Sequence, residues 1–584
     1  MAMTQRKTLQ HRFSSLVRSA AYIGLLIMPL VFLPPQASSQ TSTHQEVNHI
    51  ECQSLPFPAQ HELFDFDQLR PHARIDNFNG WLIGRIEVII LPIFNLHDTR
   101  ENYTLYRFMN NIHSPTQADA IRRQLIFSQG DVLFSSAIAE SERILRSSGY
   151  LSDAVILVRR VCGNKVDLAV ITRELWTLLP KVFFSRKGGN NKIGLTIEDE
   201  NVLGSGNTLT LQFIDDRERD TQSIRYQTKQ LLGSRITLNT VYSNTTDGFE
   251  KKLKITRPFF ALDSRWSLGL DLQSTALNET LEANGNKLDA FEHNQNDYHV
   301  YAGFSPGLQK GYTRRYTVGF TRTEDLFNTS ENDSTTEPDD RILAYPWTKY
   351  SLIEDAFTTY QNLNALYRTE DIPTGVNTET VLGYASNTFN SEQSQWIFSL
   401  NIRNTPYKLQ KHLLQMEVDV SGNWDRDTND FQNTITKFKM NYYWLQTAKR
   451  RFFASLSYDY GLNLSKDQLL PLGGDEGFRG YPSEFFLGDR RLLVNLEQRY
   501  FFSPHLMNLF RFAGVIFFDI GQTTLSDNPS AGDNDFLAST GIGIRINSSK
   551  TSINRIIHVD LGFPLNKRSE IDDFQLQITS NSTF

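Results

Sequence analysis

The segment Phe452–Leu464, FFASLSYDYGLNL, places an apolar residue at every second position along its whole length. Successive side chains of a β-strand point to opposite faces, so this period predicts a strand with one apolar face. A strand of this length can also cross a lipid bilayer when it is tilted.

The same alternation recurs from about residue 180 to the end of the chain, between connectors rich in Asn, Asp and Gly. Clear cases are 207–213 (NTLTLQF), 265–274 (RWSLGLDLQS) and 555–563 (RIIHVDLGF). A soluble β-sandwich rarely needs so many strands in succession, whereas a barrel in lipid must pair every backbone polar group. At about 25 residues per strand and loop, residues 179–584 predict a transmembrane antiparallel β-barrel of about 16 strands.

The composition agrees with a barrel. Aromatic residues make up 12% of the chain, with 40 Phe and 22 Tyr, although only 21% of residues are charged. No apolar run beyond residue 40 approaches the ~20 residues that a membrane helix needs. The net charge is −6 and no basic face is apparent, so no nucleic-acid partner is expected.

The first residues have the pattern of an export signal. Four cations precede the apolar run 20–33 (AAYIGLLIMPLVFL), and Ala37 and Ser39 supply the small residues of a cleavage site. We therefore expect a signal peptide over 1–39; the alternative, an uncleaved membrane anchor, is disfavoured by the short run. Residues 40–80 are polar and irregular, which predicts a linker or a partly docked segment.

The chain has two cysteines, Cys52 and Cys162. In an oxidising compartment such as the periplasm, they are candidates for a disulfide between the N-terminal segment and the folded part beside it. The sequence leaves two unpaired thiols open as the alternative.

Residues 81–178 predict a small α/β module with the order β-α-α-β-β. The predicted strands are 83–95, 154–161 and 165–175, and the predicted helices are 115–127 and 135–150. With Gly130–Asp131 between the helices and Gly149–Tyr150 before the second strand, this order resembles a polypeptide-transport-associated (POTRA) domain. The chain contains no second copy of the pattern.

Two further motifs lie in the predicted barrel. The Gly-rich segment 477–482 (GFRGYP) surrounds Arg479, and 517–521 (FFDIG) follows about 40 residues later. The C-terminal segment alternates and stops on an aromatic residue, like the terminal strand signal of outer-membrane barrels. The residues of that signal are Phe574, Leu576, Ile578 and Phe584.

Taken together, residues 81–584 resemble the BamA-type outer-membrane assembly and two-partner-secretion superfamily, also called bacterial surface antigens. In that family the loop with the arginine folds back into the barrel, and the arginine meets the acid of an F-x-D-x-G motif. The resemblance therefore implies a pair between Arg479 and Asp519 inside the lumen; the alternative is an ordinary exposed loop arginine. The residues of this candidate site are Gly477, Phe478, Arg479, Gly480, Tyr481, Phe517, Asp519 and Gly521.

The resemblance also implies a function and a location. It implies an outer-membrane barrel that inserts or translocates unfolded or extended polypeptides, with the POTRA-like module in the periplasm receiving them by strand addition. The first and last barrel strands, near 181–186 and 574–584, would form a seam that opens towards lipid. A passive pore or structural surface-antigen barrel is the main alternative, and a soluble β-rich exported protein is a third.

No enzymatic activity is expected from the sequence. It lacks G-x-S-x-G, H-E-x-x-H and the phosphate-binding G-x-x-x-x-G-K-[ST], and no catalytic, cofactor or metal site is predicted. The client polypeptides and any accessory proteins are not indicated by the residues.

Overall fold

The computed structural model describes residues 52–72, 75–187, 190–216, 219–283, 286–329, 338–526, 535–552, 556–566 and 571–581. The predicted signal peptide, the first part of the predicted linker and Phe584 lie outside the described residues.

An α/β module precedes the barrel. Its sheet has the strand order β1-β3-β4-β2, in which β2 and β4 are parallel and the other neighbours are antiparallel. Its elements are β1 (Cys52–Ser54), α1 (Phe66–Leu69), β2 (Leu82–Leu91), α2 (Thr104–Ile112), α3 (Ala118–Arg122), α4 (Ser135–Arg146), β3 (Leu151–Cys162) and β4 (Lys165–Glu174), with 3-10 turns at Glu62–Phe64, Arg70–His72 and Ile75–Phe78. The core between sheet and helices is apolar and includes Ile83, Leu133, Leu145, Val166 and Leu168.

The module has two helices more than the sequence predicted. One is α1, in the segment predicted as a linker or partly docked segment. Three helices, rather than two, separate β2 from β3, and the added one is α2. It lies in the stretch after β2 for which no element was predicted. The helical spacing of Leu105, Phe108 and Ile112 was the available signal, but none of these three side chains enters the module core.

The segment predicted as a linker or partly docked segment is packed against the module over its described residues. Leu63, Phe66 and Leu69 are buried against the sheet. β1 extends the sheet next to β3, and Cys52 and Cys162 form a disulfide across this pair. The thiols are therefore paired, and the chain before β2 is tied to the third strand of the module.

The barrel follows directly. Its first strands are β5 (Leu178–Lys187), β6 (Asn190–Asp199), β7 (Thr208–Asp216), β8 (Asp220–Thr228), β9 (Thr237–Thr245), β10 (Gly248–Arg257), β11 (Trp266–Ala283), β12 (Asn286–Phe304), β13 (Leu308–Gln309), β14 (Tyr312–Thr329) and β15 (Arg341–Glu354), with 3-10 turns at Val202–Gly204 and Leu231–Gly233. A separate two-stranded hairpin, β16 (Phe357–Gln361) and β17 (Thr369–Pro373), comes next.

The second half completes the wall. It contains β18 (Asn377–Ala385), β19 (Gln395–Leu409), β20 (His412–Asp425), β21 (Phe431–Thr447), β22 (Arg450–Leu462), the short pair β23 (Leu470–Leu472) and β24 (Phe486–Gly488), and then β25 (Arg490–Phe501), β26 (Phe510–Thr524), β27 (Leu537–Ser548), β28 (Ile556–Pro564) and β29 (Gln575–Asn581). Further 3-10 turns lie at Asn387–Phe389 and Lys466–Gln468. All neighbouring wall strands are antiparallel, and β29 meets β5 to close the barrel.

The predicted fold class is confirmed, but the strand count is higher than expected. Within the described ranges the closed wall has twenty long strands. This count leaves out β13, which is a two-residue extension that pairs with β14 alone. The prediction of about 16 assumed about 25 residues per strand and loop. Many strands together with their connections are shorter than this. Between β9 and β10, for example, residues 246 and 247 alone make the turn.

The barrel is polar inside and apolar outside. Along β27 the outward side chains Ile542 and Ile544 are 58% and 50% exposed, whereas the inward Arg545 is 1% exposed. On β28 the inward Asp560 is buried and bonded to Arg545, with 2.6 Å between Oδ1 and Nη1. None of the helices in the described part of the chain is long and apolar enough to cross a membrane.

Candidate functional site in the barrel lumen

The connection between β22 and β25, residues 463–489, is called the lumen loop. Its stem is the β23–β24 pair, and its tip is the glycine-rich segment around Arg479. Phe478 and Tyr481 are fully buried and Arg479 is 7% exposed. The tip therefore lies inside the barrel, and Arg479 is not a solvent-exposed loop arginine in this structure.

Arg479 contacts two acids on the barrel wall. Its Nε and Nη2 donate to the two carboxylate oxygens of Asp519 at 2.9 and 2.7 Å. Its Nη1 donates to Glu497 Oε1 at 2.7 Å, and the guanidinium lies 3.7 Å from the ring centre of Phe517. We call Arg479, Asp519 and Glu497 the clasp. It holds one cation between two anions in a site that water hardly reaches, so each member depends on the others for compensation.

The loop backbone approaches the wall too closely for a side chain at one position. Gly480 has φ +93°, and a Cβ there would lie 2.9 Å from the Cβ of Ser539. On the facing strand, a Cβ at Gly562 would lie 2.7 Å from the Gly480 nitrogen. The two glycines let backbone pack on backbone, which a larger residue at either position would prevent.

Aromatic side chains fill the space beside the clasp. Phe478 and Tyr481 stack with ring centres 4.2 Å apart, and Tyr481 Oη donates to the Ala538 carbonyl at 3.1 Å. A Cβ at Gly521 would lie 3.0 Å from the Phe478 ring, so the glycine of the FFDIG motif makes room for the loop. The structure thus places all eight predicted site residues at one place in the lumen.

Two members of this network, Glu497 and Arg499, were not predicted from the sequence. Both lie on β25, at the inward positions of its alternating pattern. Arg499 Nε donates to Glu497 Oε2 at 2.8 Å, so Glu497 lies between two guanidinium groups. The available signal was that Glu497 and Arg499 are two positions apart and so share one face of the strand 490–501. Two charged residues on one face are unusual for a strand that faces an apolar core.

A second segment enters the lumen from the opposite end. The connection between β15 and β18, residues 355–376, contains β16 and β17 and is called the mouth hairpin. Leu363 and Leu366 at its tip are almost fully buried. They pack against inward side chains of the wall, with Leu413 and Tyr443 around the first and with Phe501, Ala513 and Ile556 around the second.

The mouth hairpin is bonded both to the clasp network and to the module. Arg499 Nη1 donates to the Leu363 carbonyl at 3.1 Å, so Arg479, Glu497, Arg499 and Leu363 form a continuous chain of contacts. At its base, Asp371 accepts two bonds from Arg146 of α4, at 2.8 and 2.9 Å. The α/β module and the lumen loop are therefore connected through the mouth hairpin.

The seam of the barrel is paired less than its other joints. In the described residues, the register between β29 and β5 is a single pair, Ile578 with Arg186. The neighbouring strands β28 and β29 are paired over seven residues. Of the predicted C-terminal signal, Phe574 is exposed and Leu576 and Ile578 are half-buried, while the intervening glutamines are buried inside.

A polar cavity of about 260 Å³ lies between the module and the ends of β6 to β8. Tyr150, Glu198, Glu200 and Lys229 are among its lining residues. Burial, with a smaller contribution from the Glu198 carboxylate, raises the pKa of Glu200 to about 7. Within the described ranges, no group of three or more His, Cys, Asp or Glu side chains is placed to hold a metal ion.

Comparisons with known proteins gave structural matches. No protein-family model and no curated protein matches the chain. The crystal structure of BamA from Haemophilus ducreyi lacking POTRA domains 1–3 is 15% identical, with 86% of this chain and 85% of that chain covered and a TM-score of 0.37. CdiB from Acinetobacter baumannii is 12% identical, with 86% and 74% covered and a TM-score of 0.42. CdiB from Escherichia coli is 11% identical, with 99% and 98% covered and a TM-score of 0.41.

Proposed function

We propose that this chain is an outer-membrane barrel that inserts or translocates polypeptides, with its α/β module in the periplasm. The observation that carries the proposal is that Arg479 of the lumen loop is held by Asp519 and Glu497 inside a closed barrel. Arg479 and Asp519 are the residues for which the resemblance to the BamA-type superfamily implies such a pair.

The inverted polarity of the barrel supports the membrane location. Apolar side chains such as Leu268, Ile542 and Ile544 are about half exposed on the outside, and this exposure is unfavourable in water but favourable in lipid. The described wall strands form a closed barrel with no open sheet edge among them, as a bilayer requires. With the module at one end, that end of the barrel faces the periplasm.

Two features support the handling of polypeptides. The first is the seam, where one pair joins β29 and β5 over the residues that the structure describes; a short ladder lowers the free-energy cost of separating these strands towards lipid. The second is the module sheet, in which β4 is central and β2 forms the edge. Beyond Ile83, no other strand of the described chain covers the outer edge of β2, so an extended client can add there through backbone hydrogen bonds.

In this proposal the mouth hairpin is the segment that moves. It lies between the module and the clasp and fills the module end of the lumen with buried side chains. A client that enters the lumen from the module must displace it, whereas a client that enters through the seam need not. We propose that hairpin displacement couples the module to the clasp through Arg499, and that no catalytic step is involved.

The alternative function is a passive pore or a structural surface barrel. The presence of one POTRA-like module favours it, because assembly factors of the superfamily typically carry several. The buried tips of the lumen loop and the mouth hairpin oppose a passive pore, since they occupy the space that a solute would use.

Depletion of the protein from its host, followed by analysis of the outer-membrane and secreted proteomes, distinguishes these functions. A polypeptide-handling barrel should cause the loss of specific proteins from one of these fractions. An unchanged proteome, together with altered permeability to small solutes, would favour the pore.

Site-specific photocrosslinking in living cells tests the client-binding edge. A photoreactive residue at Arg85, which is exposed on β2, should capture polypeptides, whereas the same residue at Arg122, which is exposed on α3, should not. Equal capture at the two positions would exclude strand addition on β2.

A further inference from the structure

Helix α2 presents an apolar stripe that no described part of the chain covers. Leu105, Phe108 and Ile112 are each more than half exposed, and their spacing places them on one side of the helix. Arg107 is also exposed and lies on the other flank of the outward face, and Asn111 lies between it and Phe108. The helix is therefore amphipathic, and its apolar side faces outward from the protein.

The helix is held rigidly in place. Its inner side packs through Tyr106, whose ring stacks on Phe94 with centres 4.3 Å apart. Tyr106 Oη also donates to the carbonyl of Met507, in the barrel turn between β25 and β26. Just before the helix, Glu101 pairs with Lys550 in the turn between β27 and β28, at 2.6 Å. The exposed stripe is thus a fixed surface beside the barrel wall.

This surface continues into the apolar exterior of the barrel. The turn that binds Tyr106 exposes Leu506 and Met507, and Leu178 is exposed at the start of β5. Trp176, two residues before Leu178, belongs to the cluster of Phe94 and Tyr106. The stripe therefore lies at the module end of the wall strands that flank the seam.

We propose that α2 lies in the periplasmic leaflet of the outer membrane, with Leu105, Phe108 and Ile112 among the lipid chains. A short amphipathic helix held at the rim of a membrane barrel has the geometry of an interfacial helix, which buries its apolar side at the boundary of headgroups and acyl chains. The inference rests on the proposed location of the barrel. Its consequence is a second lipid contact, which fixes the module beside the seam.

Lipid fits the stripe better than a protein partner. The stripe has no groove or open strand edge that would give a polypeptide its backbone hydrogen bonds, and it continues directly into side chains that a bilayer must cover. A second copy of the chain would need to cover the stripe while both barrels remain in the same membrane plane.

Fluorescence quenching in nanodiscs that hold one copy of the full chain tests the inference. Because Cys52 and Cys162 are joined in a disulfide, a single introduced cysteine can be labelled selectively with an environment-sensitive fluorophore. The variants are Phe108→Cys on the stripe, Arg107→Cys on the polar flank of the helix and Ile542→Cys on the barrel exterior. The quencher is a phospholipid with a nitroxide on its acyl chain.

We expect strong quenching at positions 542 and 108, with quenching at 108 at least about twofold greater than at 107. Quenching at 542 with equal quenching at 108 and 107 would overturn the lipid contact of α2 through the stripe while leaving the barrel in the membrane. Weak quenching at 542 would overturn the membrane location and the inference with it. If 108 is unquenched in nanodiscs but crosslinks to another copy in concentrated detergent solution, a second copy is the occupant instead.

Discussion

The lumen loop and the mouth hairpin enter the same barrel from opposite ends, yet they are held by different chemistry. The loop tip is fixed by charge, with Arg479 between Asp519 and Glu497. The hairpin tip is fixed by apolar packing, with Leu363 and Leu366 buried against the wall. Arg499 bonds to the hairpin and to Glu497 on the wall, and Glu497 in turn bonds to Arg479 of the loop, so the two segments are connected.

This difference determines how each segment can move. A bidentate ion pair has strict geometry and is costly to break in a buried site, so the clasp acts as a specific latch. Apolar packing is not directional and is lost gradually as surfaces separate, so the tip of the hairpin can shift while the pair between Asp371 and Arg146 at its base stays closed. We expect the hairpin to move more readily than the loop, and the following variants test this order.

The largest effect is expected for Arg479→Met. It leaves the buried Asp519 without its cation and Glu497 with Arg499 alone, and loss of one partner from a buried pair typically costs about 3–5 kcal/mol. Urea unfolding of the folded barrel in detergent, followed by heat-modifiable gel mobility, measures the change. Arg426→Met, at an exposed arginine, is the matched control and should change little.

Reciprocal exchange adds a second test of the clasp. Arg479→Asp with Asp519→Arg should recover only part of the lost stability, because Glu497 would then lie next to the new carboxylate. If the exchange is no better than either single variant, and neither single variant differs from the parent protein, the pairing has no structural role.

The next effect is expected for Leu366→Ala in the mouth hairpin. Truncating a fully buried leucine costs about 2–5 kcal/mol, and we expect the loss to appear as local opening of the hairpin. Limited proteolysis between 355 and 376 reports this opening. Leu565→Ala, at a 55% exposed leucine, should leave the cleavage rate unchanged; equal rates in the two variants would contradict the packing role.

A smaller effect is expected for Asp371→Asn, which weakens the link between the hairpin and α4. A hydrogen bond to a charged group contributes about 1.5–3 kcal/mol when it is sheltered from water. Hydrogen exchange of the hairpin amides should accelerate. Asp119→Asn breaks an exposed pair with Arg122 and should change stability by less than about 1 kcal/mol. Unchanged exchange in Asp371→Asn would show that the module does not hold the hairpin.

The smallest effect is expected at Glu200. Its carboxyl is buried near several charged groups rather than held in a bidentate pair like that of Asp519. Burial and the Glu198 carboxylate raise its pKa to about 7, while Lys181 and the hairpin residue Arg368 act in the opposite direction. Because this pKa lies above the ordinary value of 4.5, the folded state binds more protons between pH 4.5 and 7. The stabilising contribution of this group is complete below that window and is lost as the pH rises through it.

We therefore expect the parent protein to lose on the order of 1 kcal/mol between pH 5 and pH 7.5 through this group. Glu200→Gln should lack that part of the pH dependence, as measured by urea unfolding at the two values. The exposed Glu392→Gln variant is the control and should follow the parent protein. An identical pH dependence in all three proteins would exclude a role for Glu200.

The two lumen segments also differ in how far the sequence revealed them. Arg479 and Asp519 stand in glycine-marked motifs, because close backbone approach and positive φ restrict those positions to glycine. The mouth hairpin carries no such mark, since packing of its leucines demands only apolar side chains of suitable volume. Its strands, 357–361 and 369–373, are short, and in the sequence they are indistinguishable from any other connection.

Glu497 and α2 were missed for related reasons. The inward position of Glu497 follows from strand period, but its nearness to Arg479 depends on the fold of the lumen loop. For α2, the helical spacing was present, yet an apolar stripe normally indicates a buried face, and here it faces outward.

By itself, the sequence determined the alternating strands, the α/β module before them and the glycine motifs around Arg479, because side-chain period and backbone conformation are local properties. The tertiary structure alone decided the number of strands in the closed wall, the second acid of the clasp and the hairpin at the mouth. These features depend on which distant segments meet, and strand register and loop closure set those contacts over hundreds of residues.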